Sequence, residues 1–247
     1  ISHRIRIEKQ VAFLEENHDV DVVASNYILF GKKFNRKVKL RYSTPQEIKI
    51  ALLFGNPIAN PTTAIRLSTL KKYNISYNED FFVAQDYELW SRVSLIGNFS
   101  VLQDFLLIYR IGHENVTLKS KQQKENERKR LIDNIHTNLI SLYGIDLSSD
   151  ELNIFNNFFA EVPTAPTNAL KLTNVISKIE KEIQQRRIFN KVLFRKVLHN
   201  AIVQAISNLK ASIVTKIILY RKTKRIDKFS GMFIDICKIA LKTILRG

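Results

Sequence analysis

The sequence predicts an α/β domain followed by a basic all-α region, and three observations carry that expectation. Up to about residue 111, short runs rich in β-branched residues alternate with stretches of helical apolar spacing. After about Thr117 the β-type runs stop and long helical patterns take over. Charge divides the chain in a similar way: residues 1–164 carry 21 basic and 19 acidic side chains, a net of +2, whereas 165–247 carry 18 basic and 4 acidic, a net of +14.

Composition narrows the class. The 247 residues allow one large domain or one domain with an appendage, and 45% hydrophobic residues can build a sizeable core. This excludes a disordered polyelectrolyte and a polytopic membrane protein. One cysteine, Cys237, excludes a disulfide framework and a cysteine-based zinc site. It sits in the apolar run FIDICKIAL and is expected in the core. The longest uncharged run, residues 50–65, spans 16 positions but contains Pro57 and Pro61, so no membrane helix is expected. The start, ISHRIRIEKQ, lacks the apolar stretch of a signal peptide and has no initiator Met, as in a processed chain or a fragment.

The elements follow in order. Residues 6–17 place Ile7, Val11 and Leu14 at helical spacing with charges opposite, an amphipathic helix. Residues 19–30, DVDVVASNYILF, end at Gly31 and read as a buried strand. Basic residues over 32–41 make a polar hairpin or loop. In Thr44-Pro45-Gln46-Glu47, Thr44 caps a helix, Pro45 takes its first position and Glu47 stands three residues after the cap. That helix runs through IKIALLF and stops near Gly55-Asn56-Pro57. Residues 62–66 form a short strand, 68–73 a helical turn, 85–96 a helix closed by Gly97-Asn98, and 99–102 and 105–111 two short strands. Then SKQQKENERKRLIDNIHTNLISLYG makes one long helix and 152–159 another. EVPTAPTNA, residues 161–169, has two prolines and small residues and reads as a linker. Helices are expected around 176–187, 191–220 and 231–245. The domains are therefore 1–117, a helical extension 118–160, the linker 161–169 and a basic helical region 170–247.

Residues 77–93, YNEDFFVAQDYELWSRV, carry the most chemistry. Asp86 stands at a helix start, where orphan backbone N–H groups favour a carboxylate. A carboxylate presented there from a loop suits general-base work. The plain alternative is that Asp86 merely caps the helix.

Four segments together resemble a known family. QDYELWSRV resembles the (E/Q)-D-x-x-L-W-x-R element of family-2 glycosyltransferases with the A-type fold. RIEKQVAFLEENHDVDVVASNYILF resembles the helix and strand that follow the metal-binding Asp-x-Asp of those enzymes. Asn56-Pro57-Ile58-Ala59-Asn60-Pro61-Thr62 resembles their N-p-i-x-h-p-t segment before a short strand and an Arg, here Arg66; Asn60 replaces the usual His. Tyr109-Arg110-Ile111-Gly112-His113-Glu114-Asn115-Val116-Thr117 resembles the Y-R-x-H-x-x-N-x-S close of the domain, with Gly112 displacing His113 by one position.

The resemblance implies that residues 1–117 are the C-terminal, acceptor-side half of a Rossmann-like A-type domain. The implied enzyme moves a sugar from a nucleotide-sugar donor to a glycan or lipid-linked acceptor with inversion, as in bacterial surface-polysaccharide or lipopolysaccharide synthesis. Asp86 would be its base. Gln85, Trp90, Arg66, Arg110 and His113 would bind donor or acceptor, with Tyr87 and Trp90 as apolar walls against a sugar. The family holds Mg²⁺ or Mn²⁺ on the donor phosphates through an Asp-x-Asp in its first half, which this sequence does not contain. Asp19 and Asp21 spell D-x-D but lead into a strand, so no metal ligand is expected in this chain, with His113 as the candidate exception and a solvated loop histidine as its plain alternative. The expectation is a truncated or split enzyme.

The basic third implies a polyanionic partner. In 191–220 the residues Val192, Leu193, Val197, Leu198, Ile202, Ala205, Ile206, Leu209, Ile213, Ile217 and Leu219 cover a broad face, and RKTKR follows at 221–225. Such a helix fits peripheral attachment to an anionic membrane, here the cytoplasmic face. The alternative is a soluble bundle that buries those residues. Nucleic acid is the rival partner, but no helix-turn-helix, zinc-finger or RNP-like pattern supports it. A non-catalytic remnant or partner subunit is the other rival reading.

Overall fold

Residues Arg6–Glu16 form the helix α1 and Val22–Gly31 the strand β1, and the first half of the molecule is assembled on that strand. The computed structural model describes residues 1–31, 34–110, 125–164, 169–227 and 232–244. It comprises two compact units: Ile1–Leu52 with Asn56–Leu131, and Leu53–Gly55 with Ile132–Gly247.

In the first unit β1 is followed by Phe34–Val38 (β2), Pro45–Leu52 (α2), a 3-10 turn Asn60–Thr62, Ala64–Ile65 (β3), Leu67–Lys72 (α3), Gln85–Val93 (α4) and Phe99–Arg110 (β4). The sheet is mixed. β4 runs parallel to β1 from Val22↔Phe99 to Phe30↔Arg110. The opposite edge of β1 is shared by two antiparallel partners, β3 at Val22 and Val23 and β2 at Tyr27 through Gly31. With both edges occupied, Val22, Val23, Ala24, Ser25 and Asn26 are fully buried, which explains the unbroken run of small and β-branched residues there.

The two short strands expected at 99–102 and 105–111 are one strand with an irregularity. Register shifts flank Asn26, and β4 gains extra residues there, between Leu102 and Leu107. Asn26 fills the defect. Its amide donates to the Gln103 carbonyl at 2.8 Å and its side-chain oxygen accepts from the Leu40 N–H at 2.8 Å. Leaving such buried backbone groups unpaired costs about 1–3 kcal/mol each, so a polar residue is favoured at this core position.

Helix α1 turns a different face inward from the one its periodicity suggests. Leu14 is buried against Val20 and Val23, but Ile7 and Val11 are exposed. The remaining inward position belongs to Gln10, which donates to the Thr62 carbonyl at 2.8 Å and the Val23 carbonyl at 3.3 Å. Satisfying two backbone acceptors makes a glutamine preferable there to an aliphatic residue. The expected Thr44 cap is present: its hydroxyl accepts from the Glu47 N–H at 3.4 Å and donates to the Glu47 carboxylate at 3.2 Å.

Asp21 closes the lower end of the sheet. Its carboxylate accepts from the Asn98 N–H at 2.8 Å and from the Thr69 hydroxyl, while its backbone carbonyl accepts from the Arg66 N–H at 2.9 Å. Gly97 lies against the same carboxylate, and a Cβ there would approach its oxygen to 2.9 Å.

Every described element from Glu125 onward is a helix: Glu125–Leu142 (α5), Ser149–Phe158 (α6), Ala169–Gln185 (α7), Lys191–Asn208 (α8), Ile213–Asp227 (α9) and Met232–Ile244 (α10). The division between units falls within α5. The stretch expected as a linker lies inside the second unit, where Pro163 is buried and the Thr164 N–H donates to the Asn157 carbonyl at 3.1 Å. Residues 165–168 are outside the described set. The single helix expected over 191–220 is two, because Leu209 adopts an extended ψ of 139° and the Ser212 hydroxyl caps the Thr215 N–H at 3.1 Å.

Most of the broad apolar face named for 191–220 is core. Val197, Leu198, Ile202, Ala205, Ile206, Leu209 and Leu219 are buried, and Phe54, Phe155, Phe159 and Phe194 cluster with ring centroids 4.9–6.3 Å apart. Cys237, expected in the core, is exposed; the inward positions of α10 are Asp235 and Ile239. Asp235 accepts from Tyr220 at 2.8 Å and meets His199 at 2.9 Å, which joins α8, α9 and α10. Among the described residues no helix is long and apolar enough to cross a membrane.

Gly97→Ala is expected to destabilise the chain by about 1–3 kcal/mol, because the Asp21 carboxylate is held by two donors and cannot yield freely. Urea denaturation of the two proteins checks this; equal midpoints would mean that Asp21 is not fixed.

Candidate active site

Two motifs 30 residues apart in sequence meet at one carboxylate. The Asn56 amide donates to Asp86 Oδ2 at 2.9 Å. Asn56 cannot easily turn away, since its own side-chain oxygen accepts from the Ile58 N–H at 3.1 Å in the turn that Pro57 shapes. That bond fixes which end of the amide faces the aspartate.

Asp86 is the second residue of α4, and the cap position belongs to Ala84. Alanine offers no capping oxygen, and the first-turn N–H groups of Asp86 and Tyr87 favour the charged form of the Asp86 carboxylate. Ala84 is left-handed, with φ 58° and ψ 24°, a conformation that costs an L-residue about 1–2 kcal/mol. Strain and a half-buried acid therefore sit two residues apart. Burial raises the Asp86 carboxyl above its ordinary value; the two backbone donors, the Asn56 amide and the charge of Arg128 pull against that rise.

The rest of α4 secures this end. The Tyr87 hydroxyl donates to the Leu52 carbonyl at 2.6 Å at the end of α2, and burial pushes its phenol well above the usual range. Trp90 is 1% exposed and meets Phe99 edge-on at 6.2 Å between centroids. Trp90 and Tyr87 are both buried in the core of this unit. Arg92 forks onto Glu88 with two contacts of 2.7 Å and reaches the Ser76 carbonyl at 2.6 Å.

The other expected site residues are dispersed. Gln85 is exposed at the start of α4 beside Asp86. Arg66 is committed to backbone: it donates to the carbonyls of Val20 at 2.9 Å, Asn17 at 3.4 Å and Leu14, closing the carboxyl end of α1. Arg110 is exposed at the carboxyl end of β4, in register with Phe30. His113 lies outside the described residues. Asn56, expected only at the helix stop and at the head of the third motif, is the brace of Asp86. Its signal was the Asn-Pro turn heading the third motif, where an Asn side chain commonly folds onto its own backbone and leaves the amide free to point elsewhere.

Among the described residues no three His, Cys, Asp or Glu side chains come together as a ligand set. Asp21 is spent on Thr69 and Asn98, and Asp19 contributes its carbonyl to the Asn98 amide at 3.0 Å.

Fold and site together define an α/β unit that presents one braced carboxylate at a helix N-terminus. Two curated relatives add to this. An uncharacterized glycosyltransferase of Haemophilus influenzae is 29% identical over 151 residues, covering 57% of this chain and 46% of the relative. An uncharacterized glycosyltransferase of Methanocaldococcus jannaschii is 29% identical over 123 residues, covering 48% of this chain and 42% of the relative. The chain thus spans less than half the length of either relative. No protein-family model matches the chain, and no solved structure matches it. The chain is similar to enzymes named for sugar transfer.

A carboxyl with a raised folded-state pKa binds its proton more tightly folded than unfolded. Its favourable contribution is full below the ordinary value of 3.8 and is lost as pH rises through the raised one, so the ionised form costs stability at neutral pH. Asp86→Asn is accordingly expected to be more stable than the natural protein at pH 7, with the gain shrinking as pH falls toward 3.8. Thermal unfolding across that range checks it; a loss of stability at pH 7 would contradict the assignment of burial as the dominant influence.

Proposed function

We propose that this chain is the acceptor-side part of an inverting, A-type family-2 glycosyltransferase and that Asp86 is its general base. One observation carries the reading: the Asn56 amide and the first turn of α4 hold a half-buried carboxylate at the place where two family-like motifs converge. The relatives named glycosyltransferase support sugar transfer as the class of reaction.

The chemistry asked of Asp86 is simple. An acceptor hydroxyl gives its proton to the carboxylate as its oxygen bonds to the anomeric carbon of a nucleotide-sugar. The bond from that carbon to the diphosphate breaks on the opposite face, and the nucleoside diphosphate departs. A base whose pKa lies above the ordinary carboxylate value takes the proton more readily, and general-base action of this kind contributes about 10²–10⁴-fold. The Asn56 amide holds the oxygen it contacts, which fixes the direction in which the other oxygen is offered to the acceptor. Gln85, exposed beside the base, is the proposed acceptor contact, and Arg110 with His113 the proposed contacts to donor phosphate. Mg²⁺ or Mn²⁺ on that phosphate belongs to the family reading. The proposed acceptor is a glycan or lipid-linked glycan of surface-polysaccharide synthesis, met on the cytoplasmic side of the membrane.

In the complete protein, Asp86→Asn is expected to lower kcat by about 10²–10⁴-fold with the donor KM little changed. Release of nucleoside diphosphate from a panel of nucleotide-sugars, with acceptor present, measures it. In the natural protein kcat/KM should climb with pH through an acid limb that the Asn variant lacks. Undiminished transfer by Asp86→Asn would remove the residue from the mechanism.

A further inference from the structure

We infer that the outward faces of α9 and α10 form a docking surface for an anionic lipid bilayer. The inference goes beyond sugar transfer and stands on the helical unit alone. On α9 the inward positions are Lys216, Leu219, Tyr220 and Thr223. The opposite side carries Val214, 67% exposed, and Ile218, 49% exposed, one and two turns from exposed Arg221 and Lys222. On α10 the same order recurs. Asp235 and Ile239 face inward, while Ile234 and Leu241, each 59% exposed, alternate with exposed Lys238 and Lys242 on the other side.

Each helix is thus buried on one side by the bundle and shows aliphatic and cationic residues at i, i+4, i+7 and i+8 on the other. Among the described side chains these two faces carry no carboxylate; Asp235 is turned inward, where Lys238 reaches it at 3.3 Å while remaining 61% exposed. Single exposed aliphatic residues occur elsewhere on the chain, but here aliphatic and cationic residues recur together at the same helical spacing on two helices. Interleaving the two suits an interface where lipid phosphates meet the cations and acyl chains receive the aliphatic tips. The charge of the region is complementary to such a surface, 18 basic against 4 acidic residues over 165–247. Phosphate alone, as on a nucleic acid, would give the exposed valine, isoleucines and leucine nothing to do, and among the described aromatics of the region Phe194 and Tyr220 are buried while Phe189 stacks on Phe194.

The lone thiol Cys237 is exposed on the same side of α10 and supplies the probe. With an environment-sensitive fluorophore on Cys237 of the full chain, phosphatidylglycerol-containing vesicles are expected to shift emission to the blue, and spin-labelled acyl chains to quench it. Pure phosphatidylcholine vesicles should do neither. Each cation near an anionic surface is worth about five-fold in affinity, so reversing Arg221, Lys222, Lys238 and Lys242 to Glu should weaken vesicle binding by at least about 100-fold. Ile218→Ser with Leu241→Ser should weaken it by about 10-fold or more while circular dichroism is unchanged. The inference fails if no vesicle is bound, or if neutral and anionic vesicles bind alike. It also fails if an oligonucleotide displaces the vesicles and gives the same response, or if the serine variant binds as well as the natural chain.

Discussion

Asp21 is the joint on which the first unit turns. It stands where the chain enters β1, and through one carboxylate and one carbonyl it holds the start of β4 at Asn98, the end of β3 at Arg66 and the helix α3 at Thr69. Gly97 is needed because the carboxylate occupies the space a side chain would take. The turn that Asp21 fixes is also the exit from α4, so the placement of the candidate base at the start of that helix depends on a contact that touches no substrate. One half-buried acid, Asp21, is consumed as structure, while another, Asp86, stands at the start of that helix.

The contrast between those two carboxylates is a matter of what surrounds them. Asp21 meets a hydroxyl and a backbone amide within the framework of the sheet. Asp86 accepts from the Asn56 amide and has two first-turn N–H groups that favour its charged form, yet burial still outweighs them and raises its pKa. A carboxylate left in that balance is stabilised enough to remain in place and little enough to accept a proton. The left-handed Ala84 and the absent cap are consistent with this, since both are local costs at the same spot.

Much of the framework was legible because it depends on short-range rules. The cap at Thr44, the buried strand before Gly31 and the helix starting at Gln85 follow from spacing and from one or two residues each. What escaped depends on partners distant in sequence. Gln10 is buried because Thr62 and Val23 present carbonyls to it, Asn26 because β4 bulges opposite it, and Arg66 faces inward because α1 ends beside it. No periodicity encodes those carbonyls. The site was half legible: Asp86 was visible at its helix start, but its brace lies 30 residues upstream, and the burial of Trp90 and Tyr87 depends on Phe99 and the Leu52 carbonyl, partners distant in sequence. In the helical unit, apolar spacing over 191–220 concealed the break at Leu209, where a Ser212 cap starts a new helix, and so most of a face that looked available to lipid is core.

The central claim is that the Asp86 carboxyl is raised by burial and restrained by Asn56. Carbon-13 NMR titration of that carboxyl, in the natural chain and in Asn56→Ala, measures it directly. The account predicts a pKa above the ordinary aspartate value in the natural chain and a further rise when the amide is removed, since the amide favours the ionised form. A value at or below 3.8 in the natural chain, or no response to Asn56→Ala, would contradict it.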